Sequence, residues 1–112
     1  HSVYYDWGAF CRMEFLTRYG LTTQVMQQLS IGPILFREEC VFRKEVQYGD
    51  VVTISLQVIR SKKDYSRWSI QHQIIKNTNT VCAVLTVDGA WMNIRERKLA
   101  SPPEKVHEVF EK

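Results

Sequence analysis

The fold of this 112-residue chain is decided by residues 4–20, YYDWGAFCRMEFLTRYG. Apolar residues recur in it at steps of three and four, the spacing of one helix face: Tyr4, Trp7, Cys11 and Phe15. Gly20 then supplies a helix stop. The pattern predicts a long helix over residues 4–19, with an apolar side that has to pack against another element.

The sequence that follows this helix changes from a helical to an extended pattern. A shorter helix is predicted from Thr22 or Thr23, with Thr as the N-cap, to Leu29. Residues 31–33, Ile-Gly-Pro, should end helical structure, since Pro cannot continue a helix. Residues 34–46 are rich in β-branched and aromatic side chains, which predicts the first strand.

Three further strands are predicted from alternating apolar and polar residues. The alternating segments are separated by polar turns and are listed here in chain order: strand 52–58, turn 61–64, strand 68–74, turn 77–79 and strand 80–95. A turn at 47–50 precedes them, and a short C-terminal helix should begin near Pro103 and end near Phe110. A helix followed by four consecutive antiparallel strands predicts an α+β domain, with the strands as a meander.

Composition limits the classes of protein to consider. With 112 residues, 45% hydrophobic and 24% charged, residues 1–112 should form a single domain. No apolar stretch reaches the roughly 18 residues of a membrane span, so no membrane partner is expected and a cytoplasmic location is predicted. The net charge of +3 is spread along the chain and does not indicate a nucleic-acid partner. Cys11, Cys40 and Cys82 are widely spaced, which favours reduced thiols over disulfides or a metal site.

Several motifs in this order resemble one protein family. They are Tyr4-Tyr5-Asp6-Trp7, then Cys11-Arg12-Met13-Glu14-Phe15-Leu16, then Gln47-Tyr48-Gly49-Asp50, then Thr86-Val87-Asp88, and a basic stretch running to Pro103. Together they resemble the 4-hydroxybenzoyl-CoA thioesterase-like, or acyl-CoA thioester hydrolase, family over nearly the whole chain. The resemblance implies a hotdog fold, a long helix wrapped by an antiparallel sheet. It also implies homodimers or homotetramers, an acyl or aryl group lying between subunits, and CoA phosphates near basic surface groups.

The resemblance further implies hydrolysis of acyl-CoA thioesters to a carboxylic acid and CoA, with no cofactor. The family's catalytic Asp lies about seven residues ahead of the position of His1, and the family's first strand precedes that Asp, so both are expected upstream of residue 1. The resemblance also implies that the backbone N–H at His1 contacts the thioester oxygen, a role that suits the unpaired donors of a helix N-terminus. A second hotdog class uses a Glu on the long helix, but Ala9 and Phe10 stand at that place here.

Each candidate residue has a structural alternative. The imidazole of His1, which titrates near neutrality, either acts as a general acid or base or is only the end of an ordered segment. Asp6, expected in the first helical turn, either acts directly in the active site or complements the helix dipole. Glu14 is expected on the core-facing side of the helix, either in the site or in a structural ion pair. Tyr4 and Tyr5 either contact substrate or pack the helix.

The remaining candidates lie on the predicted strands. A cationic cluster about one hairpin either receives the phosphates of CoA or solvates the turn: Arg60, Lys62, Lys63 and Arg67. His72 shares a strand face with Trp68 and Ile70, where it either lines a ligand cleft or is a hydrogen-bonded core residue. Two alternatives to acyl-CoA hydrolysis stay open: a non-catalytic acyl- or CoA-binding or assembly module of the same fold, and hydrolysis of acyl groups from acyl carrier protein.

Overall fold

The structure, a computed structural model, describes residues 2–111 and begins with the predicted long helix. This helix, α1, spans Ser2–Arg18. It ends as expected at Gly20, which has a φ of +97°, a left-handed conformation that favours glycine. The N–H of Leu21 then donates to the carbonyl of Leu16 at 2.8 Å, which satisfies an otherwise free helix carbonyl.

The second helix follows α1 after the short link 19–22, and the single residue Ser30 separates it from the first strand. Helix α2 spans Thr23–Leu29, and the Thr22 hydroxyl caps it by accepting from the N–H of Val25 at 3.1 Å. Strand β1 spans Ile31–Phe42 and so begins three residues earlier than predicted and ends four residues earlier. It accommodates Pro33 because, among the described residues, β1 pairs on one side only, with β5.

The other elements were predicted largely in the right places, except β6, for which no strand was predicted. Their bounds are β2, Val52–Ile54; β3, Gln57–Ser61; β4, Arg67–Lys76; β5, Thr80–Asn93; β6, Lys98–Leu99; and α3, Glu104–Phe110. The predicted single strand over 52–58 is two strands, because the regular pairing with β4 is interrupted at Ser55. Its carbonyl accepts from the Nδ1 of His72 at 2.9 Å, and its hydroxyl accepts from the N–H of Gln73 at 3.0 Å.

The sheet has six strands and is not the simple meander that was predicted. From β2 to β5 the strands do form the predicted meander. Strands β2 and β3 pair antiparallel with successive parts of β4, and β4 pairs antiparallel with β5. The first strand, however, crosses to the far side and pairs with β5, with Ile31 opposite Asn93 and Phe42 opposite Ala83. The order β1-β5-β4-β2 places the longest strand, β5, in the middle of the sheet.

The core lies between the helices and one face of this sheet. We call this the inner face; it carries the even-numbered residues of β4 and the residues that pair opposite them. Its largest fully buried side chains include Trp91, Leu85, Ile74 and His72. Helix α3 closes one end of the core, because Val106 and Val109 are both 0% exposed. The α+β class is therefore confirmed, with α1 packed on the sheet.

Candidate functional site

A cavity of about 210 Å³ lies between α1 and the inner face of the sheet. Its walls are apolar except for one guanidinium. The lining residues are Ala9, Arg12, Met13, Phe15 and Leu16 of α1; Pro33 and Leu35 of β1; Leu56; Trp68 and Ile70 of β4; Trp91 of β5; and Phe110 of α3. The volume exceeds that of a cavity of about 150 Å³, which is enough to hold benzene. The space can therefore accept a small apolar group.

Two glycines shape the packing around this cavity. A Cβ on Gly8 would clash with the Leu85 side chain and lie 3.3 Å from the Arg12 guanidinium, so glycine lets α1 approach the sheet closely. A Cβ on Gly89 would lie 2.6 Å from the carbonyl oxygen of Ile34 and would also clash with the Trp68 ring. The Trp68 ring therefore packs directly against the backbone of β5 at Gly89, where it forms part of the cavity wall.

The polar residue of the cavity wall, Arg12, is held by a buried network. Its Nη1 donates to the Nε2 of His72 at 3.0 Å, and its Nη2 lies 4.0 Å from a carboxylate oxygen of Glu38. The other nitrogen of His72 contacts the carbonyl of Ser55 at 2.9 Å. Because arginine only donates and a carbonyl only accepts, His72 must carry its proton on Nδ1. The network thus joins α1, β1, β4 and the link between β2 and β3.

Burial sets the charge states in this network. His72 is 0% exposed, and burial lowers its pKa from 6.5 to about 4, with the nearby charge of Arg12 acting in the same direction. The imidazole is therefore neutral near pH 7. Burial also lowers the pKa of Arg12, an effect that the carboxylate of Glu38 opposes, and the guanidinium keeps its charge. A cation with a partly exposed counterion thus faces an otherwise apolar cavity.

Three aromatic rings close the cavity at the α3 end. The Phe110 ring centroid lies 6.1 Å from those of both Trp68 and Trp91, and the two indoles are 6.4 Å apart. Such tilted arrangements are favourable for aromatic rings. Both indole N–H groups are buried, and neither has a hydrogen-bond partner among the described residues.

A second concave site, which we call the cationic groove, has a volume of about 320 Å³. It contains three of the four basic residues predicted to bind CoA, and its lining is Phe36, Arg60, Ser61, Lys62, Arg67, Trp68, Ser69, Asp88 and Gly89. The Arg67 guanidinium stacks 5.1 Å above the Phe36 ring. Lys63 does not line the groove and is exposed in the turn.

The one carboxylate of the groove lining has partners of its own. Asp88 accepts from the Ser69 hydroxyl at 2.6 Å and lies 3.6 Å from the Arg37 guanidinium. The three groove cations, Arg60, Lys62 and Arg67, therefore remain in excess over the acidic charge of the lining.

The candidates on α1 do not converge on the cavity. Glu14 is exposed, so its predicted core-facing position is wrong: it lies about 120° around the helix from Gly8, at 100° per residue. Asp6 is also exposed and stands in the second turn, not the first, because α1 begins at Ser2. Tyr4 and Tyr5 are half-buried, and Tyr4 packs against Trp7 and Phe42. His1 lies outside the described residues.

His72 is a buried residue behind the cavity wall, bonded to Arg12, and does not itself line the cavity. Sequence reasoning missed the roles of Arg12, Trp91 and Phe110 as cavity residues. A periodicity that centres α1 on Gly8, Arg12 and Leu16 would have indicated the first; no local pattern indicates that β5 and α3 meet there.

Other possible site chemistry is limited in the described part of the chain. All three cysteines are free, as predicted, and burial raises the pKa values of the Cys11 and Cys40 thiols. No group of three or more His, Cys, Asp or Glu side chains within residues 2–111 could hold a metal ion. None of the helices described is long and apolar enough to cross a membrane.

Comparisons with known proteins identify solved structures with a similar fold. No curated protein matches the sequence. Among solved structures, a hypothetical protein from Aquifex aeolicus has a TM-score of 0.86 at 23% identity, over 98% of this chain and 83% of that one. A hypothetical protein from Staphylococcus aureus in complex with CoA has a TM-score of 0.87 at 18% identity, over 98% and 71%. A gentisyl-coenzyme A thioesterase has a TM-score of 0.82 at 25% identity, over 100% and 85%.

These similarities show the fold, which is the hotdog fold that the resemblance implied. A family model described as the thioesterase-like superfamily matches residues 1–110. Since the match spans almost the whole sequence, the chain belongs to the thioesterase-like superfamily.

Proposed function

We propose that this protein hydrolyses acyl-CoA thioesters to a free carboxylic acid and CoA. One observation carries the proposal: the apolar cavity on the inner face and the cationic groove on the outer face approach each other at the β1 edge, where the adjacent residues Leu35 and Phe36 line one site each. An acyl-CoA has the same division, with an apolar acyl group at one end and phosphates at the other. The proposal is supported by membership of the thioesterase-like superfamily and by a structural relative in complex with CoA.

The cationic groove is suited to phosphates. Arg60 and Arg67 lie on neighbouring strands, β3 and β4, and Lys62 follows β3 directly. Guanidinium groups bind phosphate oxygens through paired hydrogen bonds, and the ammonium group adds a point charge. We therefore assign the phosphates of CoA to Arg60, Lys62 and Arg67, with Lys63 as a more distant charge in the same turn.

The chemistry of the proposal is addition of water to the thioester carbonyl, followed by loss of the CoA thiolate, which leaves as the thiol after protonation. A backbone N–H at the start of α1 would stabilise the oxyanion, because the first amides of a helix lack intrahelical partners. The family resemblance gives this role to His1 and gives the base or nucleophile to an Asp ahead of it. Tyr4 and Tyr5, one turn into α1, would then stand beside the substrate.

We also propose a homodimer formed along β1. This strand is twelve residues long and, in the described chain, pairs only with β5. Leu35, Phe36, Val41 and Phe42 are all at least 38% exposed on it. A long apolar edge strand in a small domain is a place where a second copy can add its own strand. The three free thiols suit a reducing compartment such as the cytoplasm.

One observation favours a second function, acyl-CoA binding without hydrolysis. The carboxylates of α1, Asp6 and Glu14, are exposed, and the described lining of the cavity contains no carboxylate. If no acid reaches the thioester, the same surfaces would bind acyl-CoA and leave it intact.

The test is release of free thiol from a panel of short, long and aromatic acyl-CoAs, with acyl carrier protein thioesters in parallel. The double variant Arg60→Gln/Arg67→Gln should raise the KM for acyl-CoA about tenfold or more, because each lost charge-assisted hydrogen bond is worth roughly 1.5–3 kcal/mol. Arg95→Gln, which removes a cation outside the groove, is the matched control and should leave the KM unchanged.

Hydrolysis of acyl-CoA with this KM pattern supports the proposal. Binding of acyl-CoA without thiol release supports the second function, and turnover of carrier-protein thioesters alone would make acyl carrier protein the substrate carrier. An unchanged KM in the double variant would refute the assignment of the phosphates to the groove.

A further inference from the structure

We infer that Phe110 is the end stop of the acyl-binding cavity and sets the upper length of the acyl group that the protein accepts. The inference deepens the proposed function and rests on it, because it takes the occupant of the cavity to be the acyl group of a thioester. Phe110 would thus determine substrate specificity from α3, an element that carries none of the candidate catalytic residues.

The position of Phe110 is fixed by the rest of its helix. Val106 and Val109 are 0% exposed and hold α3 against the core. The Phe110 ring packs against Tyr65, with 5.3 Å between centroids, and against Trp68 and Trp91, each at 6.1 Å. A ring with aromatic neighbours on several sides has little room to swing away, so it limits the cavity as a rigid wall.

The side of the cavity at the β1 edge is more open. Leu35 of β1 and Met13 of α1, which line it, are each 38% exposed, whereas Trp68 and Trp91 on the inner strands β4 and β5 are 5% and 1% exposed. A chain that enters from this exposed edge would therefore run along apolar walls toward the aromatic rings. Phe110 is the residue of α3 that lines the cavity, next to these rings.

The cavity volume gives the length limit. If about 150 Å³ accommodates the six carbons of benzene, each carbon needs about 25 Å³. A cavity of about 210 Å³ then accepts about eight carbons. Replacing Phe110 with Ala removes six ring carbons and would open about 150 Å³ more, which is room for about six further carbons. The accepted length should therefore move from about eight to about fourteen carbons.

The experiment measures kcat/KM for straight-chain acyl-CoAs from four to sixteen carbons. In the wild type, kcat/KM should fall beyond about eight carbons. Phe110→Ala should raise the ratio of the fourteen-carbon to the eight-carbon value at least tenfold, since a single methylene in an apolar pocket is worth roughly 10- to 200-fold. Phe110→Trp should act in the opposite direction and lower the length limit. Glu108→Ala, on the exposed side of the same helix, is the control and should leave the profile unchanged.

Binding provides a readout that does not depend on turnover. S-alkyl-CoA thioethers of the same lengths cannot be hydrolysed, and Trp68 and Trp91 in the cavity wall should report their binding by fluorescence. Thermal unfolding of each variant shows that it is folded. The same length limits should appear in the thioether affinities.

The outcomes separate this inference from the proposed function. If the wild type binds thioethers with a length limit that moves in Phe110→Ala but hydrolyses no acyl-CoA, the end stop stands and hydrolysis fails. If acyl-CoAs are hydrolysed but the folded Ala and Trp variants keep the wild-type length profile, the end stop is refuted and hydrolysis stands.

Discussion

The buried histidine makes the stability of this protein depend on pH in a way that can be calculated. His72 is 0% exposed, and its pKa in the folded state is about 4, against 6.5 for an ordinary histidine. The folded-state pKa is the lower one, so the unfolded chain binds the proton more tightly. Stability from this residue is fully present above pH 6.5, falls as the pH drops through this window, and is lost at about pH 4.

The magnitude follows from the two pKa values. Over the whole window the loss is about 3 kcal/mol, because each pKa unit corresponds to about 1.4 kcal/mol. Between pH 7.5 and pH 5 the loss is about 2 kcal/mol. The upper part of the window is the useful part, since most carboxylates stay ionised there and add little slope of their own.

The assay is urea unfolding of the wild type and of His72→Gln at intervals between pH 7.5 and pH 5. Glutamine can accept from Arg12 and donate to the Ser55 carbonyl, and it does not titrate. The free energy of unfolding of the wild type should fall by about 2 kcal/mol more than that of the variant over this range. Comparing the two slopes removes the contributions of all other titratable groups, which both proteins share.

Equal slopes for the two proteins would refute the reasoning. So would a titration of the His72 ring, followed by NMR in the folded protein, with a midpoint near 6.5. Either result would mean that the imidazole gains a proton without leaving its contacts, and that Arg12 or the surrounding structure moves to accommodate the charge.

Two further changes should affect stability through packing and hydrogen bonding, each measured by urea unfolding. Gly8→Ala should destabilise the protein by about 1–2 kcal/mol, because the steric clash with Leu85 exceeds the gain of about 1 kcal/mol in helix propensity; a comparable stability would show that α1 can shift. Ser69→Ala should cost about 1–2 kcal/mol, because the hydroxyl that donates to Asp88 at 2.6 Å is lost; no change would mean that this bond contributes nothing net. Thr17→Ala, on the exposed side of α1, is the common control.

The order and type of the elements were predictable because each has a strong local signal. The three- and four-residue spacing and Gly20 gave α1, and the polar turns at 61–64 and 77–79 separated the later strands correctly. The pairing of β1 with β5 was not predictable from such signals. It joins residues 41 to 62 positions apart, and periodicity along one segment carries no information about its distant partner.

The candidate site was predictable only where the charges were clustered in sequence. The residues at 60, 62 and 67 lie on one hairpin, so the topology brings them together regardless of packing. The cavity, in contrast, is built from α1, four strand or link segments and α3, and its last wall depends on how α3 folds back. The error over Glu14 came from centring the buried helix face on Cys11 and not on Arg12.

The crossing of β1 to the far side of the sheet also determines when the protein can fold during its synthesis. Residues 31–42 leave the ribosome well before residues 80–93, with which they pair. At roughly 5–20 residues per second, the new strand waits on the order of 2 to 12 s for its partner. During that delay Leu35, Phe36, Val41 and Phe42 are unprotected, so chaperone demand and aggregation on overexpression should be concentrated in this one segment.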